Sequence, residues 1–238
     1  KSGQTRAPSG FEHWLIKLDG VSDVQLGASK GYGRVEMAYY NMAIACGIEM
    51  MPSRLLEENG RAHFMTKRFD RQEGDIKHHI QTFCALKHLN YNLVTSFSYE
   101  QLFQAMREIK LSYPDAEQMF RRMALNVISR NCDDHTKNFS FRLKKGGNWE
   151  LAPAYDVCHA YKPDHRWVSQ HALSINGKRT DITKEDLLVI GKSIKNKKAA
   201  SIIEEINDTV SQWKKFANDV NVLPEIRDEI AKTLINWK

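Results

Sequence analysis

Two side chains five residues apart, Asp133 and Asn138, stand in the polar stretch NCDDHTKN, between a helical pattern and a strand pattern. A carboxylate that can accept a hydroxyl proton, with an amide oxygen one loop turn later that can coordinate magnesium, is a pairing that serves phosphoryl transfer. D-x-x-x-x-N alone is a common spacing. Its weight comes from the residues that follow, where two alternating runs, Phe139 to Leu143 and Trp149 to Ala152, flank Gly146-Gly147. A hairpin there folds position 138 back opposite position 155 and sets Asp156 beside Asn138, a second hard oxygen suited to magnesium. Taken in isolation, Asp156 reads equally as a turn or cap residue.

A cation is the next requirement. In HWLIKLDG, His13, Leu15 and Lys17 alternate with Trp14, Ile16 and Leu18, the period of a strand, before an Asp19-Gly20 turn. A strand lysine among apolar residues can bind phosphate oxygens if an acid keeps it ionised and oriented. Glu36, in the helical pattern RVEMAYYNMAIACGI, is the candidate partner. Without the downstream motif the same two residues are an edge-strand lysine and a first-turn acid favoured by the helix dipole.

The elements that must position these groups follow from periodicity. After the lysine strand comes a loop containing GASKGYG, which lacks G-x-G-x-x-G and reads as a flexible connection rather than a phosphate cradle. The stretch MPSRLLEENGRAHFMTKRFDR predicts a hairpin, with strands near 53–57 and 62–67 joined by Asn59-Gly60. From about residue 100 the pattern turns helical, in SYEQLFQAMREIKL and in DAEQMFRRMALNVISR with Asp115 as N-cap. DITKEDLLVIG, KNKKAASIIEEINDTVSQWKKFAND and LPEIRDEIAKTLINW continue it. The expected class is α+β, with a partial small β lobe carrying one helix over residues 1–72 and a larger, mainly helical lobe over 73–238.

Composition narrows the function classes. With 238 residues, 42% of them hydrophobic, the chain can bury a core as one large domain or two lobes. No apolar run reaches eighteen residues and KSGQTRAPSGFEHW has no apolar h-region, so the expectation is a soluble, cytoplasmic protein with no membrane partner. Cys46, Cys84, Cys132 and Cys158 form no CxxC pair, which points to reduced structural thiols rather than a zinc ribbon or disulfide framework. A net charge of +6 suits an anionic partner: a nucleotide, a nucleic acid or an acidic protein face. Lys192, Lys195, Lys197 and Lys198 read as a solvated helix face, with DNA contact as the alternative.

The segments HWLIKLDG, RVEMAYYNMAIACGIEM, HFMTKRFDR, NCDDHTKNFSF and WELAPAYD, in this order, resemble those of HipA-like serine/threonine kinases, the toxin components of bacterial toxin-antitoxin pairs. The resemblance covers residues 11 to about 162 and, more loosely, SQHALSINGKR and the helices beyond. It implies a two-lobed protein-kinase-like fold and ATP and Mg2+ as cofactors. It also implies Asp133 as catalytic base, Asn138 and Asp156 as metal ligands, and Lys17 as a phosphate contact. Lys67, Arg68 and Phe69 match a hinge whose main chain hydrogen-bonds adenine, with Asp70 just beyond, and His135, Lys137 and Tyr155 match positions lining the nucleotide pocket. The resemblance further implies a protein substrate, with aminoacyl-tRNA synthetases as the suggested class, an antitoxin partner, and DNA contact through the antitoxin complex.

The departures are specific. Arg130-Asn131-Cys132 precede Asp133 in place of H-R-D, and Tyr155-Asp156-Val157 stands in place of D-F-G, which separates the chain from eukaryotic protein kinases. Asp134 follows the base where several family members carry glycine, and an adjacent carboxylate raises a base's pKa unless the two side chains diverge. The family's glycine-rich loop with its regulatory serine lies upstream of the lysine strand, and the expectation is a chain lacking that N-terminal segment. Two other readings stand beside the kinase: a catalytically incomplete kinase-fold module that binds an antitoxin or DNA, and a small-molecule phosphotransferase.

Overall fold

Asn59 and Gly60 both take positive φ, 49° and 74°, the two-residue turn whose twist matches that of the strands it joins. Ser53–Glu58 (β2) therefore folds back on Arg61–Lys67 (β3) with Glu58 opposite Arg61. On the far side of β3 lies the antiparallel strand Trp14–Lys17 (β1), with Lys17 opposite Phe64, giving the sheet order β1-β3-β2. The computed structural model describes residues 8, 10–19, 31–72, 76–93 and 96–237. Gly20 and residues 27–30 of the GASKGYG tract lie outside them.

The helix Tyr32–Ala45 (α1) starts two residues before the predicted Arg34, directly after Gly31 in the left-handed region at φ 85°. It can lie close on β3 because Gly33 has no side chain; a Cβ there would stand 2.1 Å from the carbonyl oxygen of Ala62. That contact sets where Glu36, one turn later, ends up.

Further along, Arg71–Gln72 (β4) pairs with Ile76–Lys77 (β5), and His79–Thr82 (β6) leads into the short helix Phe83–Leu86 (α2). Tyr99–Glu108 (α3) opens on a capping box of Ser98 and Gln101. Tyr113–Ile128 (α4) is capped by Ser112 rather than by the predicted Asp115. Pro114 fits the first turn, so the helix starts earlier, and Asp115 at the third position closes the box instead. Its other oxygen accepts from the Leu151 amide at 3.2 Å, which ties α4 to the site's hairpin.

That hairpin is Ser140–Leu143 (β7) and Trp149–Leu151 (β8), with β6 on the outer side of β7 in the order β6-β7-β8. Phe141 faces Leu151 and Leu143 faces Trp149. Continued to the open end, this register sets Asn138 opposite Ala154, one residue from the predicted pairing with 155. The reason is the turn: an odd loop, 144–148, with Gly146 at φ 73°, replaces a turn centred between the two glycines.

Lys184–Ser193 (α5), Ala199–Ser211 (α6), Trp213–Asp219 (α7) and Pro224–Ala231 (α8) complete the chain. The helical pattern over 195–219 is broken at Gln212, whose ψ of 14° leaves the helical region. The basic tract is likewise not one helix face. Lys192 closes α5, and Lys195 and Lys197 lie in the α5–α6 connection, with Lys198 at the cap of α6. The core gathers around α4, whose Met119, Phe120, Met123, Leu125, Val127 and Ile128 are fully buried, and takes in α1, α3, α5 and α6. All four cysteines are free, and among the described residues no helix is long and apolar enough to cross a membrane.

Candidate active site

Lys17 sits at the end of β1, and its ammonium lies 2.7 Å from Glu36 Oε1 on α1 and pairs equally with the Asp156 carboxylate. One cation therefore joins the sheet, its helix and the chain just beyond β8. Burial works against the charge on Lys17, but the two carboxylates outweigh it and hold the ammonium above the usual lysine range. Burial raises the Glu36 pKa, with Lys17 pulling the other way. Asp156 has φ 56°, a left-handed turn that aspartate tolerates better than most residues and that helps set the direction of the chain at this point.

Asp133 and Asp134 leave the loop in opposite directions. The Asp133 side chain is 44% exposed, with its carboxylate 3.8 Å from His135 Nε2. Its pKa is raised, first by partial burial and then by the charges of Asp156 and Asp134, while His135 and Lys137 act against the shift. The Asp134 side chain is 0% exposed. The Tyr99 hydroxyl donates to its Oδ2 at 2.9 Å, where His171 Nδ1 also lies at 2.9 Å, and the Ala172 amide donates to Oδ1 at 2.7 Å.

Asn138 Nδ2 donates to the main-chain oxygen of Asp133 at 2.8 Å, which leaves the amide oxygen as the atom for a cation. Asn138 and Asp156 line one cleft, with Tyr155, Asp134 and Arg122. Among the described residues no three His, Cys, Asp or Glu cluster as a metal site.

Arg122, on α4, is the residue the sequence reading missed. It is buried, its Nε and one terminal nitrogen have no hydrogen-bond partner, and burial pushes its pKa down to about 10, which leaves it charged at neutral pH. The Glu49 and Asp115 carboxylates act on it through space, but neither hydrogen-bonds those two nitrogens, and an anion in the cleft would be favoured there. The signal was Arg121-Arg122 in FRRMALNV, where a charge takes an inward position of an otherwise apolar face.

The remaining predicted residues divide. The Tyr155 ring stacks on Phe69 at 5.6 Å and 28°, while its hydroxyl donates to the Lys137 carbonyl at 2.6 Å and lies 2.5 Å from Ser140 Oγ. Lys137 Nζ stands over the Tyr91 ring at 3.5 Å. The Lys67 side chain pairs with Glu12, while Asp70 is bound by Arg68 at 2.8 and 2.6 Å and also by Arg71. Burial opposes the Asp70 charge, but these arginines hold its carboxyl below the usual range. His135 Nδ1 is buried without a hydrogen-bond partner.

The sequence model of the HipA-like C-terminal domain matches residues 2–213. The chain belongs to that family. Among solved structures, this HipA-like domain is similar to HipA of the Shewanella oneidensis MR-1 toxin-antitoxin system, solved with HipB and its operator DNA. That match has a TM-score of 0.63 and 15% identity and covers 98% of this chain and 63% of HipA. The chain thus spans less than two thirds of that HipA. The Helicobacter pylori proinflammatory kinase CtkA matches with TM-score 0.55 and 14% identity over 94% of this chain and 88% of CtkA. No curated protein sequence matches significantly. At these identities the likeness is one of fold, and the fold of the HipA-like domain is the expected kinase-like α+β one: a partial small β lobe with one helix beside a larger, mainly helical lobe.

Proposed function

We propose that the chain is the greater part of a protein kinase that transfers the γ-phosphoryl group of ATP to a serine or threonine hydroxyl. The observation that carries this reading is Lys17 bridging Glu36 and Asp156, with the Asp133 carboxylate clear of that ion pair yet within electrostatic reach of Asp156. Lysine, acid, metal-binding aspartate and base are the parts phosphoryl transfer requires, because it is catalysed mainly by position and charge.

The residues fit the nucleotide and metal that the family implies. Asn138 and Asp156 would hold Mg2+, and the buried Arg122 guanidinium lines the cleft with two nitrogens free to meet an anionic ligand. Lys67, Arg68 and Phe69, at and just past the end of β3, would offer their main chain to adenine's edge. Bound Mg-ATP supplies the phosphoryl group and offsets its charge. The chain's own residues do the rest. Lys17 attracts phosphate oxygens, and Asn138 braces the loop at the Asp133 carbonyl. Asp133, its pKa raised, takes the acceptor's proton. We assign residues 1–72 to the partial small lobe and 73–238 to the helical lobe. Because the similar HipA is assembled with HipB and operator DNA, we place an antitoxin-type protein among the partners, with DNA reached through it. An aminoacyl-tRNA synthetase is the proposed substrate class and the cytoplasm the proposed compartment.

The test offers labelled ATP and cell extract to the complete parent protein and to its Asp133→Asn variant, and identifies the acceptor by mass spectrometry. Phosphoserine or phosphothreonine formed only by the parent is the expected result. Label on a small molecule would instead identify a small-molecule phosphotransferase, and absence of both transfer and magnesium-dependent ATP binding would leave a docking module.

A further inference from the structure

The loop 131–138 is held at its ends by main-chain bonds. The Cys132 amide donates to Ala160 at 3.0 Å, and the Cys84 amide donates to Thr136 at 3.0 Å. Between them, the side chain of Asp134 is the inward anchor, and each of its three donors comes from a distant segment: Tyr99 at the start of α3, and His171 and Ala172 after the hairpin. Behind them the network continues, with Asn126 Nδ2 donating to the Tyr99 oxygen at 3.0 Å and Asn131 Nδ2 to Asn126 Oδ1 at 2.9 Å. Arg179 clamps the His171 segment through the carbonyls of His171, Ala172 and Phe97.

We infer that His171 is a positioning residue for phosphoryl transfer, its ion pair with Asp134 fixing the inner side of the loop so that Asp133 is presented outward; this rests on the kinase reading above. Two adjacent carboxylates on one loop compete for two places, one buried and one open. Asp134 takes the buried place because three donors converge on it there, the Tyr99 hydroxyl, the His171 ring and the Ala172 amide. Without His171 the carboxylate would keep only two neutral donors. A buried carboxylate so deprived is relieved by swinging toward the cleft, where solvent and the Lys137 ammonium can reach it. That swing rotates the loop and takes Asp133 off its line, and a shift of about 1 Å at a reacting group can lower a rate by about 10²-fold.

The experiment uses the complete parent protein and the variants His171→Leu, His171→Asn, which keeps an N–H donor near the Nδ1 position, and Tyr99→Phe. For His171→Leu, kcat is expected to fall about 10–100-fold with KM for ATP within about twofold. Amide hydrogen exchange is expected to quicken across 131–138 while α4 stays protected, and His171→Asn should recover most of kcat. Unchanged kcat with unchanged exchange, or a loss that follows KM or comes with global loss of α4 protection and no rescue by His171→Asn, would overturn the inference. If the parent transfers no phosphoryl group, the functional reading fails by itself, and the exchange arm still decides whether His171 fixes the loop. Should His171→Leu not fold, Tyr99→Phe perturbs the same carboxylate from the other side, and an unaltered kcat and loop exchange there would equally overturn it.

Discussion

Neighbouring aspartates with the same chemistry have opposite surroundings: Asp133 is in contact with solvent and Asp134 with Tyr99, His171 and Ala172. Asp133→Asn is predicted to lower phosphotransfer by about 10²–10⁴-fold, the usual contribution of a positioned base, while calorimetry finds ATP affinity and stability unchanged. Asp134→Asn should cost stability as well as rate. It strands the His171 imidazolium in the core, and urea denaturation should find the protein about 3–5 kcal/mol less stable. Arg122 gives a third signature. Replacing this buried guanidinium, two of whose nitrogens lack hydrogen-bond partners, by methionine should leave stability equal or higher, yet weaken Mg-ATP binding by roughly tenfold, an order-of-magnitude figure for one charge-assisted contact. Weaker stability with unchanged affinity would make Arg122 a structural residue. Spacing made Asp133 and Asn138 legible in the sequence. The Asp134 contacts were not, since its partners stand 35 to 38 residues away and only the fold brings them in.

Elements decide whether these groups meet. Gly33 is the point where α1 touches the β3 main chain, and Glu36 lies one turn beyond it on the same helix. Gly33→Ala is predicted to cost about 1–3 kcal/mol through overpacking against Ala62 and, by lifting α1, to loosen the Glu36–Lys17 pair and raise KM for ATP. A merely less stable protein with unaltered KM would separate the helix contact from the site. Local chemistry was the legible part of this architecture: Asn59-Gly60 fixed one hairpin within a residue, and the apolar period marked α3 and α4. What local chemistry could not show was pairing across long separations. β6 joins β7 sixty residues later, and nothing in HIQT announces it. The site hairpin was placed with a one-residue error because Gly146-Gly147 fits an even turn as well as the odd loop that forms. Ser112 rather than Asp115 caps α4 because Pro114 belongs to the first turn, a competition between two good caps that sequence alone does not resolve.

Over the whole molecule, the buried histidines predict how stability changes with pH. His171 faces Asp134, with Cys132, Tyr99 and Arg179 around it, and its pKa is raised from 6.5 to about 10, Asp134 prevailing over burial. A group raised in the folded state stabilises fully below its unfolded pKa and loses that contribution as pH climbs toward the folded one, so stability should decline between pH 6.5 and about 10. His159 has the opposite sign. Burial, then the Arg130 charge, lower its pKa from 6.5 to about 4, with Nε2 2.9 Å from the Thr233 hydroxyl. The folded chain therefore resists a proton that the unfolded chain accepts, and stability should decline as pH falls from 6.5 toward 4. The lowered carboxyls of Asp186 and Asp70 add to that acid loss. Lys17, raised above an already high value, acts beyond this window. The expected curve is a dome with its top near pH 6.5 and limbs of at most about 1.4 kcal/mol per pH unit for each histidine. Urea denaturation from pH 4 to 10 measures it directly. His171→Leu should flatten the alkaline limb and His159→Leu the acid one, each leaving the other limb in place. The buried Cys46 and Cys158 thiols, raised by burial, add an alkaline loss of their own above about pH 9, so the test is read between pH 6.5 and about 9. A limb there that survives His171→Leu would mean that the imidazole bound to Asp134 is already neutral in the folded protein, and the positive charge assigned beside Asp134 would have to be withdrawn.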